Sequence, residues 1–243
     1  MKVSMNLYAL VLLLPFLLIT YSTAFVVPGF SQVNNGVSSV QLNVSKQGKG
    51  CEFEFQELKA QATEMINQSV SSSDLNPLKM NELTNYVKAV CDSRVSPIAL
   101  REIGTPEVKE KYLFGKWRLA FCTENAAMSV MPREARIVVE IVDELKMNYV
   151  LEFTKKVQGL SRINAESTYT IDTSPINPGL LTFTYEKVSG GLFGMTVPLG
   201  LFGLFKGRGN FIESLYFDGD VWIERGYSES GDFFYNVYIK EKL

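Results

Sequence analysis

The chain alternates apolar and polar residues in eight short runs between residues 116 and 240, and this period of two constrains the fold more than any other feature. Successive side chains of a strand point to opposite faces, so each run predicts a strand with one apolar and one polar face. The last three runs are separated by Asp218-Gly219 and Ser230-Gly231, pairs typical of tight turns. The predicted strands centre on residues 117–121, 137–141, 145–153, 163–171, 181–185, 215–217, 221–223 and 233–239.

Eight strands in meander order predict a mainly β fold, a lipocalin-like eight-stranded antiparallel up-and-down barrel preceded by a short helical segment. Closure of such a barrel removes the unpaired edges that an open sheet would expose. A β-sandwich is the alternative. An eight-stranded interior either fills with side chains or holds one small ligand. The fourth run places Ser161, Ala165 and Ser167 inside, which favours a cavity, although bulky neighbours filling the gap is an equal alternative.

Residues 51–113 have a helical period instead and are expected to pack on the barrel domain, residues 114–243, over one of its open ends. Ser73-Asp74 with Pro77, Ser96-Pro97 and Thr105-Pro106 are typical helix starts. We interpret the apolar stripes as core contacts rather than as a partner-binding face. The stripes consist of Phe55, Leu58, Ala62, Met65 and Ile66, and of Met80, Leu83, Val87 and Val90.

The first 50 residues are typical of a two-part targeting sequence. Lys2, a short apolar core over residues 7–19 and small residues at 22–24 predict a signal peptide at 1–24. A membrane anchor is the alternative, but the core falls short of the roughly 20 residues that span a bilayer. Residues 25–50 lack acids, as transit peptides do. Plain secretion remains open, because residues 43–45 and 67–69 are glycosylation sequons.

Composition excludes several kinds of site. The chain has no histidine, which removes histidine-activated nucleophiles and histidine-ligated metals. Cys51, Cys91 and Cys122 are widely spaced, so we expect isolated thiols, with a Cys91–Cys122 pair as the alternative. The net charge is −2, without the basic excess of a nucleic-acid binder. We therefore predict no metal, no cofactor and no nucleic-acid partner.

Residues 188–209 form an apolar stretch rich in glycine, with charge only near its end. A large apolar surface in water usually marks a contact site. We expect the stretch either to fold over the barrel mouth as a lid or to dip into a lipid surface, and the two roles are compatible. In the second, Phe193, Phe202 and Phe205 enter the lipid while Lys206 and Arg208 meet the headgroups.

Two segments together resemble markers of the plastid lipid-associated proteins, the fibrillins. Residues 216–226, YFDGDVWIERG, resemble the C-terminal signature of that family, and GKWRL at 115–119 resembles its first-strand marker. Trp222 departs from the pattern, because the family usually has an arginine there. The resemblance implies a plastid protein that associates with thylakoids or lipid droplets and binds carotenoids, quinones or acyl lipids. The matching positions are Gly115, Trp117, Tyr216, Asp218, Asp220, Arg225 and Gly226.

We therefore expect a non-catalytic protein that binds or scaffolds apolar molecules, peripheral on a plastid membrane or lipid droplet and imported through the secretory pathway. A structural or assembly partner of a photosynthetic membrane complex is the alternative. An enzyme is disfavoured, because the charged cluster of Asp218, Asp220, Glu224 and Arg225 is explained by a turn and a cross-strand salt bridge. The candidate ligand contacts are Trp117, Phe121, Tyr149, Phe153, Ser167, Tyr169, Phe183, Tyr216, Trp222 and Phe233.

Overall fold

A computed structural model shows an antiparallel sheet of nine strands preceded by helices. The structure describes residues 50–68, 70, 74–123, 135–157, 159–199, 206–207, 209–227 and 233–242. The predicted signal peptide and the transit segment up to residue 49 lie outside the described residues.

Each of the eight predicted runs falls on a strand. A ninth strand, β6, forms within the glycine-rich stretch that the sequence predicted as a loop. The strands are β1 Gly115–Cys122, β2 Ala135–Ile141, β3 Lys146–Val157, β4 Leu160–Ile171, β5 Leu180–Leu192, β6 Met195–Pro198, β7 Gly209–Phe217, β8 Val221–Tyr227 and β9 Phe233–Lys240.

The sheet closes on itself. Neighbouring strands pair in the order β4-β3-β2-β1-β9-β8-β7-β5, and β4 also pairs with β5, so these eight strands form a ring. β6 pairs with the distal end of β5, beyond the part of β5 that pairs with β7. All these pairings are antiparallel, which confirms the predicted mainly β, antiparallel fold. The strands belong to one sheet, so the two-sheet sandwich is not formed.

The predicted turn at Asp218-Gly219 is confirmed. The Asp218 carboxylate accepts hydrogen bonds from the backbone N–H groups of Asp220 and Val221 at 2.8 and 2.7 Å. Gly219 has a φ of 93°, which strains any residue with a side chain, and a Cβ there would lie 2.7 Å from the Tyr112 ring. Turn chemistry therefore accounts for both residues. The second predicted turn, Ser230-Gly231, lies outside the described residues.

Two helices, α1 Gly50–Gln68 and α2 Pro77–Ser93, pack on the outer wall of the ring rather than over an end, where only the later part of the predicted lead-in lies. The outer face of the C-terminal strands is itself apolar and has to be covered, which explains the difference. Both predicted stripes are buried here, apart from the half-buried Ile66. The outer cluster comprises Phe55, Leu58, Ala62, Met65, Met80, Leu83, Val87, Val90, Ala120, Phe121, Tyr216, Val221, Ile223, Tyr235 and Val237.

The segment 98–114 covers one end of the ring, which we call the covered end. It consists of single turns at Leu100–Glu102, Pro106–Val108 and Lys109–Leu113. Ile103 and Leu113 join the cluster inside the ring. The ammonium of Lys109 donates to the carbonyl oxygen of Glu144 at 3.1 Å and lies over the Tyr169 ring. These contacts fasten the segment to the β2–β3 turn. Ser96-Pro97 begins no helix.

Cys51, Cys91 and Cys122, all of which the structure describes, are not joined in disulfides. Cys122 belongs to the cluster inside the ring, whereas Cys91 packs against the outer cluster. The wall of the sheet therefore separates the two cysteines of the alternative pair. Burial raises the pKa of the Cys91 thiol to about 12.

Candidate ligand site inside the ring

Aromatic side chains fill the interior next to the covered end. The Trp117 ring lies 5.3 Å from Phe217 and 5.6 Å from Trp222, between ring centroids, and Trp222 lies 5.8 Å from Tyr238. The indole N–H of Trp117 donates to the carbonyl oxygen of Leu113 at 2.8 Å, which ties this group to the covering segment. Any ligand in the interior therefore has to lie beyond these rings, towards the far end of the ring.

A buried carboxyl group, Glu224, follows this aromatic group along the interior. Its side chain is 6% exposed. Oε1 accepts hydrogen bonds from Asn236 Nδ2 at 2.6 Å and from the Tyr238 hydroxyl at 3.0 Å. Oε2 has no hydrogen-bond partner among the described residues. Burial raises the pKa of the Glu224 carboxyl to about 7, against the two hydrogen bonds, which lower it.

The position of Glu224 follows from the register of the sheet. Glu224 stands opposite Ser214 on β7 and Asn236 on β9, so these three side chains share a face. Trp222 lies two residues before Glu224 and points inward, and its indole N–H donates to Ser214 Oγ at 3.1 Å. Two residues along a strand return to the same face, so an inward Trp222 requires an inward Glu224.

Tyrosine hydroxyls extend the polar cluster across the interior. The hydroxyls of Tyr149 on β3 and Tyr238 on β9 share a hydrogen bond. Burial and then the nearby Glu224 carboxylate raise the pKa of both phenols. The Tyr185 hydroxyl from β5 lies close enough to act on Tyr149 electrostatically. Among the residues that the structure describes, Glu224 is thus the one buried carboxyl group of the interior, and neutral hydrogen-bonding groups surround it.

Two interior side chains at this level are not fully buried. Tyr149 stands between the buried interior residues Val139 and Ala165, yet it is only half-buried. Asn236, which pairs with Glu224, is also half-buried. Ser167 is 2% exposed, and its Oγ has no hydrogen-bond partner among the described residues. A partly accessible inner face with unpaired polar atoms is what a ligand site provides.

Most of the predicted ligand contacts face this interior, and three do not. Phe121 and Tyr216 belong to the outer cluster because the register shifts between Leu119 and Phe121 and between Ser214 and Tyr216. Such a bulge turns the following side chains to the other face. Phe233 is 55% exposed at the start of β9. The inward-facing contacts are Trp117, Tyr149, Phe153, Ser167, Tyr169, Phe183 and Trp222.

Several of the fibrillin-like motif residues fasten the sheet to the helices. Tyr216 packs on Phe55 of α1 with ring centroids 5.3 Å apart, and its hydroxyl accepts a hydrogen bond from Arg94 Nε at 3.2 Å. Burial raises the pKa of the Tyr216 phenol to about 12.

Two glycines of the motif are explained by the sheet itself. Gly226 is required by close packing, since a Cβ there would lie 2.4 Å from the Phe234 ring. Gly115 begins β1 with a φ of 121°.

The four charged residues of the C-terminal motif do not form one site. Asp218 caps its own turn, and Asp220 pairs with Lys59 of α1 at 2.9 Å. Arg225 lies 3.7 Å from Glu213 on β7, a cross-strand salt bridge of the expected kind, although the sequence did not identify Glu213 as the partner. Glu224 alone points inward. The prediction was therefore wrong for Glu224. Its side chain lies inside the ring, away from the other three charged residues.

The β5–β6 hairpin lies at the far end of the ring, where the Phe193 N–H donates to the carbonyl oxygen of Gly159 at 3.0 Å. Its two-residue turn, Phe193-Gly194, has φ values of 51° and 85°, and Phe193 is 71% exposed. Met195 is 64% exposed and Lys206 is exposed. The other predicted membrane contacts, Phe202, Phe205 and Arg208, lie outside the described residues. None of the described helices has the length and apolar character to cross a membrane.

Four polar interior residues, Glu224, Tyr238, Asn236 and Tyr185, were not among the predicted ligand contacts. A signal for Glu224 was available, since it shares the face of Trp222 on one strand. Tyr238 and Asn236 lie two residues apart on β9 and also share a face. Tyr185 continues the predicted face of Phe183.

No family model, curated protein or solved structure matches this chain. The resemblance to the fibrillins therefore depends on the two sequence segments alone.

Proposed function

We propose that the protein is a non-catalytic carrier or scaffold that holds one apolar molecule inside the ring, which acts as a lipocalin-like barrel. The observation that carries this proposal is the half-buried, inward-facing Tyr149 beside the unpaired polar atoms of Glu224 and Ser167. A polar cluster set into an apolar interior is typical of sites that orient a largely apolar ligand. The fibrillin-like segments favour a carotenoid, a quinone or an acyl lipid, held at a thylakoid or plastid lipid-droplet surface.

The energetics are compatible with useful affinity. An apolar ligand that loses about 400 Å² of surface to the interior gains on the order of 10 kcal/mol. Lost translational freedom and the ordering of side chains cost several kcal/mol of this gain. The remainder corresponds to a dissociation constant of roughly micromolar size.

The geometry around Glu224 favours binding over catalysis. A buried carboxyl group with a raised pKa is also found in general acids and bases. Here, however, its contacts are the amide of Asn236 and the hydroxyl of Tyr238, both of which donate to it. These contacts hold the carboxyl group in place, and neither is a nucleophile that it activates.

Ligand entry is expected to quench tryptophan fluorescence. The chain has two tryptophans, Trp117 and Trp222, and both face the interior. Trp222 also contacts Tyr238, which bonds to Glu224. A carotenoid or quinone bound near Glu224 therefore lies close to an emitting indole. Titration with either compound should quench emission to saturation, whereas unchanged emission at saturating concentrations of both would contradict interior binding.

We further propose that the hairpin tip contacts the lipid surface. An exposed phenylalanine at positive φ costs backbone strain, and such strain is often kept for function. Replacing Phe193 and Met195 with serine is expected to weaken sedimentation with anionic lipid vesicles several-fold, because two apolar side chains no longer enter the lipid.

Ile176 provides the matched control for this membrane prediction. It is 84% exposed in the β4–β5 turn, at the opposite end of β5 from Phe193. Ile176→Ser should leave sedimentation unchanged, and circular dichroism should show the same fold in all variants. Equal losses at both ends, or no loss at the hairpin, would contradict lipid contact by the tip.

The same exposed tip supports a second candidate function, docking on a photosynthetic membrane complex. Apolar side chains at the tip serve a protein contact as well as a lipid contact. Stoichiometric co-purification with defined membrane subunits, lost in the hairpin variant, would favour this function.

A further inference from the structure

We infer that the Oε2 atom of Glu224 is the polar anchor of the interior site, and that the ligand is an apolar molecule with a carbonyl-type acceptor oxygen. The inference deepens the proposed function and rests on it, because it assumes that an apolar molecule occupies the interior.

The hydrogen bonds at Glu224 determine where its proton lies. Oε1 already accepts from Asn236 Nδ2 at 2.6 Å and from the Tyr238 hydroxyl at 3.0 Å. Two donors facing one oxygen leave no room for a proton on it, so the neutral acid carries its proton on Oε2. Oε2 has no hydrogen-bond partner among the residues that the structure describes. The protonated side chain therefore presents a buried donor without an acceptor.

A buried donor of this kind requires an acceptor, because leaving it unpaired is costly. A ketone, quinone or ester oxygen accepts one hydrogen bond and leaves the rest of the ligand apolar. A cationic amine has only donors and would instead need the ionised carboxylate as its acceptor, whereas an alcohol would bring a donor of its own that also needs a partner. In the part of the chain that the structure describes, no cation is among the groups that act on the Glu224 carboxyl. The neutral acid and a carbonyl ligand therefore suit this interior best.

Binding should depend on pH through Glu224. Two titratable groups interact with Glu224 electrostatically, Tyr238 on β9 and Tyr149 on β3. Tyr185 on β5 and Cys122 on β1 act in turn on Tyr149. Burial keeps the Tyr149 and Tyr238 phenols protonated at neutral pH. As pH rises through about 7, the Glu224 carboxyl ionises and ceases to donate. The affinity for a carbonyl ligand should then fall.

The experiment is equilibrium dialysis of the full-length protein with two probes, an alkyl benzoquinone and the alkylbenzene of the same chain length. We expect the quinone to bind about tenfold more weakly at about pH 8.5 than at about pH 6, because the ionised Glu224 carboxylate no longer donates a hydrogen bond to the quinone oxygen. The alkylbenzene should bind equally at both pH values. Infrared absorption of the protonated carboxyl should shift when the quinone is added.

Substitutions separate the anchor from a merely structural role. Glu224→Gln keeps the shape, and its amide donates at every pH, so quinone binding should persist and become independent of pH. Glu224→Leu removes the donor and should weaken quinone binding about tenfold while leaving alkylbenzene binding unchanged. Glu186→Gln, at an exposed position on β5, is the matched control and should match the wild type.

The outcomes distinguish the two proposals. Binding of both probes without pH dependence, or equal binding by wild type and Glu224→Gln at both pH values, would overturn the anchor and leave interior binding intact. Failure of both probes to bind would overturn interior binding and the anchor together. If Glu224→Leu does not fold, the pH dependence and the Glu224→Gln variant decide the question.

Discussion

Trp117→Ala is expected to destabilise the fold by about 3–5 kcal/mol, the usual cost of deleting a buried tryptophan side chain. Trp117 is 0% exposed and lies between Phe217 and Trp222. Its indole N–H also bonds the covering segment through Leu113. The truncation therefore opens a cavity and detaches the segment that covers this end of the ring.

Urea unfolding of wild type, Trp117→Ala and Trp117→Phe measures this effect. Phenylalanine keeps a ring in the aromatic group but loses the hydrogen bond to Leu113, so we expect a smaller loss of stability than for alanine. A loss below about 1 kcal/mol for alanine would show that Trp117 does not hold the covered end together.

Glu224→Gln is expected to gain stability relative to wild type as pH rises. The folded protein holds the proton of Glu224 up to about pH 7, whereas the carboxyl ionises near 4.5 when its environment is not perturbed. Between these two values the folded state binds more protons than the unfolded state, so raising pH reduces wild-type stability. Below the lower value this contribution is fully present, and above the higher value it is gone. Glutamine has no such dependence.

The difference in unfolding free energy between Glu224→Gln and wild type should therefore grow by about 3 kcal/mol from about pH 4.5 to about pH 8. Carboxyl groups with lowered pKa values, such as those of Asp143 and Asp172, are present in both proteins and cancel in this difference. Glu186→Gln, at its exposed position, serves as the control and should show a constant difference. A constant difference for Glu224→Gln as well would mean that Glu224 is not a buried, titrating carboxyl group.

The fold was predictable because its strands carry a strong period of two. The eight runs from residue 116 onward locate every strand of the ring, and the Asp218-Gly219 pair locates one turn. Strand β6 was missed because Gly194 and its glycine neighbours have low strand propensity. It forms because a two-residue turn returns the chain along β5, an effect of tertiary pairing that local composition does not encode.

The candidate site was predictable in part. Alternation places Trp117, Tyr149 and Tyr169 inside correctly, but bulges in β1 and β7 reverse the face of Phe121 and Tyr216. A bulge adds one residue to one strand, and period-two counting cannot detect it. Glu224 was instead grouped with Asp218, Asp220 and Arg225 and explained by a turn and a cross-strand salt bridge. Its strand neighbour Trp222 was the better guide.

The most direct test of the central claim is organic extraction of the protein purified gently from its native source, followed by mass spectrometry of the extract. The account predicts one apolar compound with a carbonyl-type oxygen, in a ratio to protein of about one, as expected for an eight-stranded interior that holds a single small ligand. A protein that yields no such compound and takes up none when carotenoid, quinone or acyl lipid is added would contradict the account, and would mean that side chains fill the ring.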